Sequence, residues 1–530
     1  MTAFRTALLL AALAFLALFI NTGVKAADVN EEGAQAVKAM FQKMLDYQKT
    51  LSNVDEAGQM IYEGELTVEP VGTYYAVTFP HMKLSYPTGE ILDIGMISAN
   101  VSPHKTAGQW AMTMAVPTPL VFLNNTGTQD FKISIGSQST AGIWDEKTLT
   151  FQKLDASYKD IKLESSTEEP FHFNIPEIAV RYDFNIDAAG LWSGPGYVTI
   201  KNLTAKLPEN AGSAAVREFR LDVSMDRYNP NSSNDLRDKV MALNEKIEAQ
   251  QGQDGAEAVN TSEAAKEELE KLSADVLQTM LKSANGFKGN YKLSGLSISR
   301  PSILGQGEDS VQIEDVNFGF DLTGLLEENV KLGFDLGFLG FAMAPHPPGV
   351  PQEFLPKDMK FNILFENLPL QKILEMATTQ PTPADGNGIS ITLNENFISN
   401  DTFRVNLDGK YKIDTTSPLM AVGNGKLVIH GLDETITRVT NMAAETPGDP
   451  NIMQMQQAVM GLNMVKAFAK PEAAADGKIS YVLEIELTPQ GQYKVNGQDM
   501  GATFGGGAPA QPAPAPQDPS QPEDMTAPAE

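Results

Sequence analysis

Apolar and polar residues alternate one for one over long stretches of this chain. Met82, Leu84 and Tyr86 alternate with His81, Lys83 and Ser85. Ile178, Val180, Tyr182, Phe184 and Ile186 do so with Ala179, Arg181, Asp183, Asn185 and Asp187, and Phe219, Leu221, Val223 and Met225 with Arg220, Asp222, Ser224 and Asp226. Successive side chains on a strand point to opposite faces, so each stretch predicts a strand with one apolar and one solvated side. Sheets of that kind are usually antiparallel. The same period returns at Val330, Leu332, Phe334, Leu336 and Phe338, from Phe403 to Ile413, and at Tyr481, Leu483, Ile485 and Leu487. Pro87-Thr88-Gly89, Asn124 to Gly127, Gly194-Pro195-Gly196 and Pro489-Gln490-Gly491 read as turns between strands.

Helical spacing interrupts this pattern in four places. Val37, Met40, Phe41, Met44 and Leu45 form an apolar stripe that needs a cover, and Asn30 before Glu31 and Glu32 supplies an N-cap. Leu236, Val240, Leu243 and Ile247, then Leu269, Leu272, Val276 and Met280, predict an αα-hairpin. Shorter helices are expected near Leu370 to Ala377 and from Ile452 to Phe468, the latter apolar nearly all round and hence buried or in a groove. Both halves run helix and then long strands, which suggests a duplication. The expected fold is mainly β with helical inserts (α+β): long antiparallel strands in two related curved sheets, a groove or split barrel, with the hairpin between them. The segments are 1–26, 27–228 (helix plus β domain), 229–285 (hairpin), 286–500 (second β domain) and a Pro/Ala-rich tail, 501–530, expected to be disordered.

Composition adds location and exclusions. Arg5 precedes an uninterrupted apolar run from Ala7 to Ile20, and Val24-Lys25-Ala26 supplies small residues for cleavage, so residues 1–26 read as a secretory signal peptide and the protein as periplasmic. The alternative is an inner-membrane protein held by the uncleaved segment; its apolar run is shorter than the roughly 20 residues a spanning helix needs. No later stretch approaches that length. A formal charge of −27 argues against nucleic acid and polybasic membrane docking. The absence of cysteine removes thiol nucleophiles, disulfides and thiolate metal sites.

Catalytic signatures are missing. His81, His104, His172, His346 and His430 are scattered, and there is no HExxH, GxSxG, P-loop or GxGxxG sequence. Ser102-Pro103-His104-Lys105 matches SxxK without its companion motifs or a helix start. Asp385-Gly386-Asn387-Gly388 and Asp476-Gly477-Lys478 are Asp/Gly turns without the spacing of a calcium loop. The expectation is no enzyme, no cofactor and no metal.

Ser480-Tyr481-Val482-Leu483-Glu484-Ile485, followed by Gly491 and Lys494-Val495-Asn496-Gly497, resembles the closing strand pair of the uncharacterised YdgA-type bacterial envelope proteins, and the segment after Leu368-Pro369-Leu370 is similar too. The resemblance runs from about Tyr291 to Asp499, and the tail and helical insert depart from it. In architecture alone there is also a likeness to AsmA-like proteins. The family resemblance implies an envelope protein and brings no catalytic residues. Two functions follow from the residues: binding or handling of a lipid or other amphiphile on an apolar groove, or a structural, protein-interacting envelope factor with a filled core. Under the first, the groove is lined by Ile178, Val180, Tyr182, Phe184, Phe334, Phe338, Met455 and Met460.

Overall fold

The fold was obtained as a computed structural model that describes residues 29–51, 58–148, 150–165, 171–206, 211–232, scattered positions from 235 to 246, then 263–302, 307–345, 354–369, 388–445, 452–473 and 477–501. The predicted signal segment, the segment Leu370 to Ala377 and the tail from residue 502 lie outside the described residues.

The chain opens with α1 (Glu31–Leu51), capped as its sequence predicts: the Asn30 side-chain oxygen accepts the Gly33 amide at 2.8 Å. Strands β1 (Gln59–Glu63), β2 (Thr67–Val71), β3 (Tyr74–Ser85), β4 (Ile91–Pro103), β5 (Gln109–Ala115), β6 (Leu120–Leu123), β7 (Gln129–Asp145), β8 (Thr150–Ser165) and β9 (His172–Asp183) follow. Next come β10 (Asn185–Ile186), β11 (Trp192–Lys206), β12 (Ser213–Tyr228), helix α2 (Glu263–Lys282), β13 (Gly286–Pro301), β14 (Glu308–Thr323), β15 (Val330–Leu339) and β16 (Ala342–Ala344). The chain continues through β17 (Asp358–Leu368), β18 (Ser390–Ser399), β19 (Arg404–Ile413), β20 (Ala421–His430), α3 (Leu432–Glu445), α4 (Ile452–Phe468), β21 (Lys470–Ala473), β22 (Ile479–Leu487), β23 (Tyr493–Val495) and β24 (Gln498–Asp499).

All 24 strands belong to one antiparallel sheet. From β7 onward each long strand pairs with the next long strand in the chain, a meander. The mainly β, antiparallel expectation holds, but the two expected sheets are one. β12 pairs with β13 from Ser213↔Ser299 to Asp226↔Gly286, directly across the helical insert. The insert leaves at the end of β12 and returns at the start of β13, where the Asn285 amide donates to Asp226 O, so it interrupts the sequence without interrupting the ladder. Within the insert, Lys239 lies 3.1 Å from Asp275 of α2 and donates to the Thr279 hydroxyl at 2.7 Å. Gly194-Pro195-Gly196 is likewise no turn. It lies inside β11, where a Cβ on Gly194 would meet Asp183 O at 2.2 Å, so glycine there permits a close backbone approach.

The main core sits under α1. Val37, Phe41 and Leu45 are buried against one side of the β3–β8 region, where Phe41 meets Phe79 edge-on at 5.2 Å and Trp144 at 6.1 Å. Trp110 is buried with them, and its indole N–H donates to Glu146 at 2.9 Å. Burying the indole without that acceptor would cost about 1–3 kcal/mol.

Candidate functional site

Residues opposite one another in an antiparallel ladder share a face, so the pairing traces one surface across the whole sheet. One row runs Thr140, Ala156, Val180, Val198, Leu221, Tyr291, Phe318, Leu336, Phe361, from β7 to β17. Its neighbour begins at Tyr75, Val101, Met112, Gly142 and Leu154, the heart of the core, and continues through Tyr182, Gly196 and Val223 to Phe320 and Phe334. The face that is dry in the first half is therefore the same face as the apolar one in the second.

Exposure changes along it. Tyr75 and Leu154 are 0% and 2% exposed, whereas Tyr291, Phe318, Leu336 and Phe361 are 40%, 40%, 42% and 41% exposed. Beyond this open section the face is covered again. Val405, Leu427, Ile429, Tyr481 and Leu483 pack against Leu432 and Ile436 of α3 and Leu462 and Val465 of α4. A polar clamp ties the helix pair down: Tyr481 donates to Asp433 at 2.7 Å, and Lys466 donates to the other oxygen of the same carboxylate at 2.5 Å. Lys466, and then Tyr481, hold the Asp433 carboxyl below its ordinary pKa, and Asp433 in turn raises both partners.

A second feature shapes this face. In β8 the inward residues are Leu154, Ala156 and Tyr158, then Ile161 and Leu163, so the alternation slips by one. The slip occurs at Asp160, which has a φ of +52°. Ladder pairs on both sides keep one register, which sets Gly136, Asp160, Pro176, Asn202, Arg217, Gly295, Glu314 and Gly340 in a line across the sheet. Alternate members are left-handed, Asp160, Asn202, Gly295 and Gly340 at +52°, +52°, +62° and +65°. A one-residue slip in a regular strand would turn every later apolar side chain to the wrong face. The left-handed residues absorb it, and Asp, Asn and Gly are the types that tolerate this conformation. This crease leaves two apolar panels on one side of the sheet. The row Leu163, Phe173, Ala205, Ala214, Ile298, Val311, Met343 crosses the second panel, and its exposure also rises, from 7% at Leu163 to 45% at Ile298.

The opposite face is polar and carries cross-strand ion pairs such as Lys288–Asp321 at 2.8 Å and Lys360–Glu395 at 2.6 Å.

The structure brings most of the sequence-predicted lining residues to this one surface. Ile178, Val180, Tyr182, Phe334 and Phe338 all lie on the apolar face; Ile178 is buried in the closed section, Val180, Tyr182 and Phe338 are half-buried, and Phe334 is in the open section. Burial raises the Tyr182 pKa well above the ordinary phenol value. Phe184, beyond the end of β9, is buried and stacks on Tyr182 at 5.3 Å. Met455 is half-buried on α4, but Met460 is 69% exposed, on the side of α4 turned away from Leu462 and Val465. The expected burial of α4 thus holds for one side only. Tyr291, Phe318, Leu336, Phe361 and Ile298 carry the open section and were absent from the predicted lining; the alternation Val316, Phe318, Phe320, Leu322 was the available signal.

Among the described residues no cluster of three His, Asp or Glu could hold a metal ion, and no helix is long and apolar enough to cross a membrane. His81 contacts Asp93 at 2.7 Å and His430 contacts the Ser480 hydroxyl at 2.7 Å. Neither is a nucleophile–base–acid constellation. Compared with protein-family models, curated proteins and solved structures, the chain matches none.

Proposed function

We propose that this protein is an exported, non-enzymatic envelope protein that holds the acyl part of a lipid or other amphiphile in a trough formed by the apolar sheet face. The supporting observation is the change of exposure along one uncharged row, from Ala156 at 3% to the Tyr291, Phe318, Leu336, Phe361 ladder near 40%. Contiguous exposed apolar surface is costly to leave in water and marks binding sites. The cover at both ends, α1 with the first strands and α3–α4 at the last, limits the trough to the middle of the sheet. The test is native mass spectrometry of the delipidated chain titrated with phosphatidylcholine. Adducts are expected with the wild type, and occupancy at least about tenfold lower with Leu336→Asp, because a carboxylate in an acyl site costs more than the 1.4 kcal/mol that a tenfold loss represents. Absence of adducts in the wild type would overturn the reading.

A second reading, a protein-interaction factor of the envelope, draws on the outward stripe of Met453, Met460 and Met464, which are 67%, 69% and 51% exposed. Replacing the three by Gln would abolish a co-purifying protein partner under this reading and leave lipid adducts unchanged.

A further inference from the structure

We infer that the polar face of β18, β19, β20 and β22 carries a second binding site, whose ligand is a neutral saccharide chain; this goes beyond the lipid reading and does not rest on it. A cavity of about 990 Å³ opens there, at the upper end of the roughly 300–1,000 Å³ of small-molecule sites. Leu427 and Leu483 face α3 and α4, so their neighbours Lys426 and Glu484 point to the other side of the sheet, into this cavity. The ladder arranges the lining. Lys410, Asn424 and Glu486 stand opposite one another in one row, and Asp408, Lys426 and Glu484 in the next. Neighbours within a row are about 4.8 Å apart. One wall is tied to the end of α4 by Asn496, part of the Asn-Gly turn that the sequence marks. At a φ of +50° it donates its amide to Glu484 O at 2.8 Å, accepts the Glu484 amide on its side-chain oxygen at 2.9 Å, and donates its side-chain nitrogen to Phe468 O at 2.7 Å.

The charges in this cavity behave differently from those on the rest of the polar face. Elsewhere they close across the strands, as in Lys288–Asp321 at 2.8 Å and Lys360–Glu395 at 2.6 Å. Lys426 stands directly between Asp408 and Glu484 and forms an ion pair with neither; Asp408 accepts the Glu395 amide at 2.7 Å, and Glu484 lies 3.3 Å from Lys470 at the rim. Among the described residues the side chains of Lys410, Asn424, Lys426 and Glu486 have no partner, which leaves two ammoniums, an amide and a carboxylate turned to one open space. Their chemistry selects the ligand. Lys410, Lys426 and Lys470 balance Asp408, Glu484 and Glu486, so the lining is neutral in a chain of charge −27. An anion meets the three carboxylates, a cation meets the three ammoniums, and an apolar ligand strips water from all six without replacing it. A compact zwitterion engages one lysine and one carboxylate and leaves the rest of both rows unused. A hydroxyl donates and accepts at one atom. A chain of sugar rings therefore satisfies both kinds of neighbour along both rows.

The experiment titrates the full chain with maltohexaose, cellohexaose and chitohexaose by isothermal calorimetry, with hexagalacturonate as the anionic control and phosphocholine as the zwitterionic one. One-to-one binding of at least one neutral hexasaccharide is expected. Its affinity should change less than about twofold between about 50 and 300 mM NaCl, because neither the ligand nor the lining carries net charge to be screened. Lys410→Met, at an exposed position, should weaken it about tenfold through loss of a charge-assisted hydrogen bond. Leu336→Asp, on the opposite face of the sheet, should leave it unchanged. No binding of any of the three, tighter binding of hexagalacturonate or phosphocholine, or wild-type affinity in Lys410→Met would overturn the assignment. Phosphatidylcholine uptake is measured separately, so failure of either reading leaves the other standing.

Discussion

The β3–β8 region and the β13–β17 region are built from the same alternation and differ in what lies on their apolar side. In the first, α1 supplies Val37, Phe41 and Leu45, and the sheet face beneath them is dry. In the second, Tyr291, Phe318, Leu336 and Phe361 have no comparable cover among the described residues. The comparison teaches that alternation encodes a face in need of shelter and leaves the shelter unspecified. A helix of the same chain and a bound amphiphile satisfy the same pattern, because the hydrophobic effect is non-directional and counts only area removed from water.

Substitutions in the two regions should therefore differ in cost. Phe41→Ala removes a fully buried ring and should destabilise by about 3–5 kcal/mol, whereas Phe318→Ala, already 40% exposed, should cost under about 1.5 kcal/mol; urea unfolding of both variants measures the contrast, and equal losses would erase it. Glu146→Ala leaves the buried Trp110 N–H without its acceptor and should cost about 1–3 kcal/mol, with Glu146→Gln retaining most of the stability.

The clamp at the far end gives a pH-dependent version of the comparison. The Asp433 carboxyl sits below its ordinary pKa, so its contribution is present above the ordinary carboxylate range and is lost as pH falls through the lowered value. The protection factors of the α3 and α4 amides, taken relative to the intrinsic exchange rate at each pH, should be lower at pH 3 than at pH 6 in the wild type. In Asp433→Asn they should already be low at pH 6, while α1 remains protected in both. Because the clamp is partly exposed, solvent screening keeps the effect small. Smallest of all, Lys288→Ala on the polar face should change stability by less than about 1 kcal/mol, since the Lys288–Asp321 pair is solvent-exposed.

Much of the fold was legible in the residues. The zigzag from Ile178 to Tyr182 and from Phe219 to Met225 located strands and the face each turns inward, and Asn30 with the Val37–Phe41–Leu45 stripe located α1 and its need for a partner. The slip from Tyr158 to Ile161 was also written in the sequence, yet its meaning depends on Asn202, Gly295 and Gly340 standing opposite or in line with it, a relation set by register. The union of β12 and β13 across the insert was invisible for the same reason: long-range pairing has no local signature. Of the candidate lining, Phe334 was readable as apolar and inward, but its exposure depends on what packs above it. Met460 was misleading because a helix apolar on every side does not reveal which side meets the sheet.

The most direct measurement pairs one substitution from each region. Phe41→Asp and Phe318→Asp are compared by thermal unfolding and by phosphatidylcholine uptake. Unfolding of the first, together with a second variant that melts within a few degrees of wild type and takes up no lipid, is the predicted result. If Phe318→Asp unfolds like Phe41→Asp, or stays folded and binds lipid as the wild type does, the open section is not a binding face.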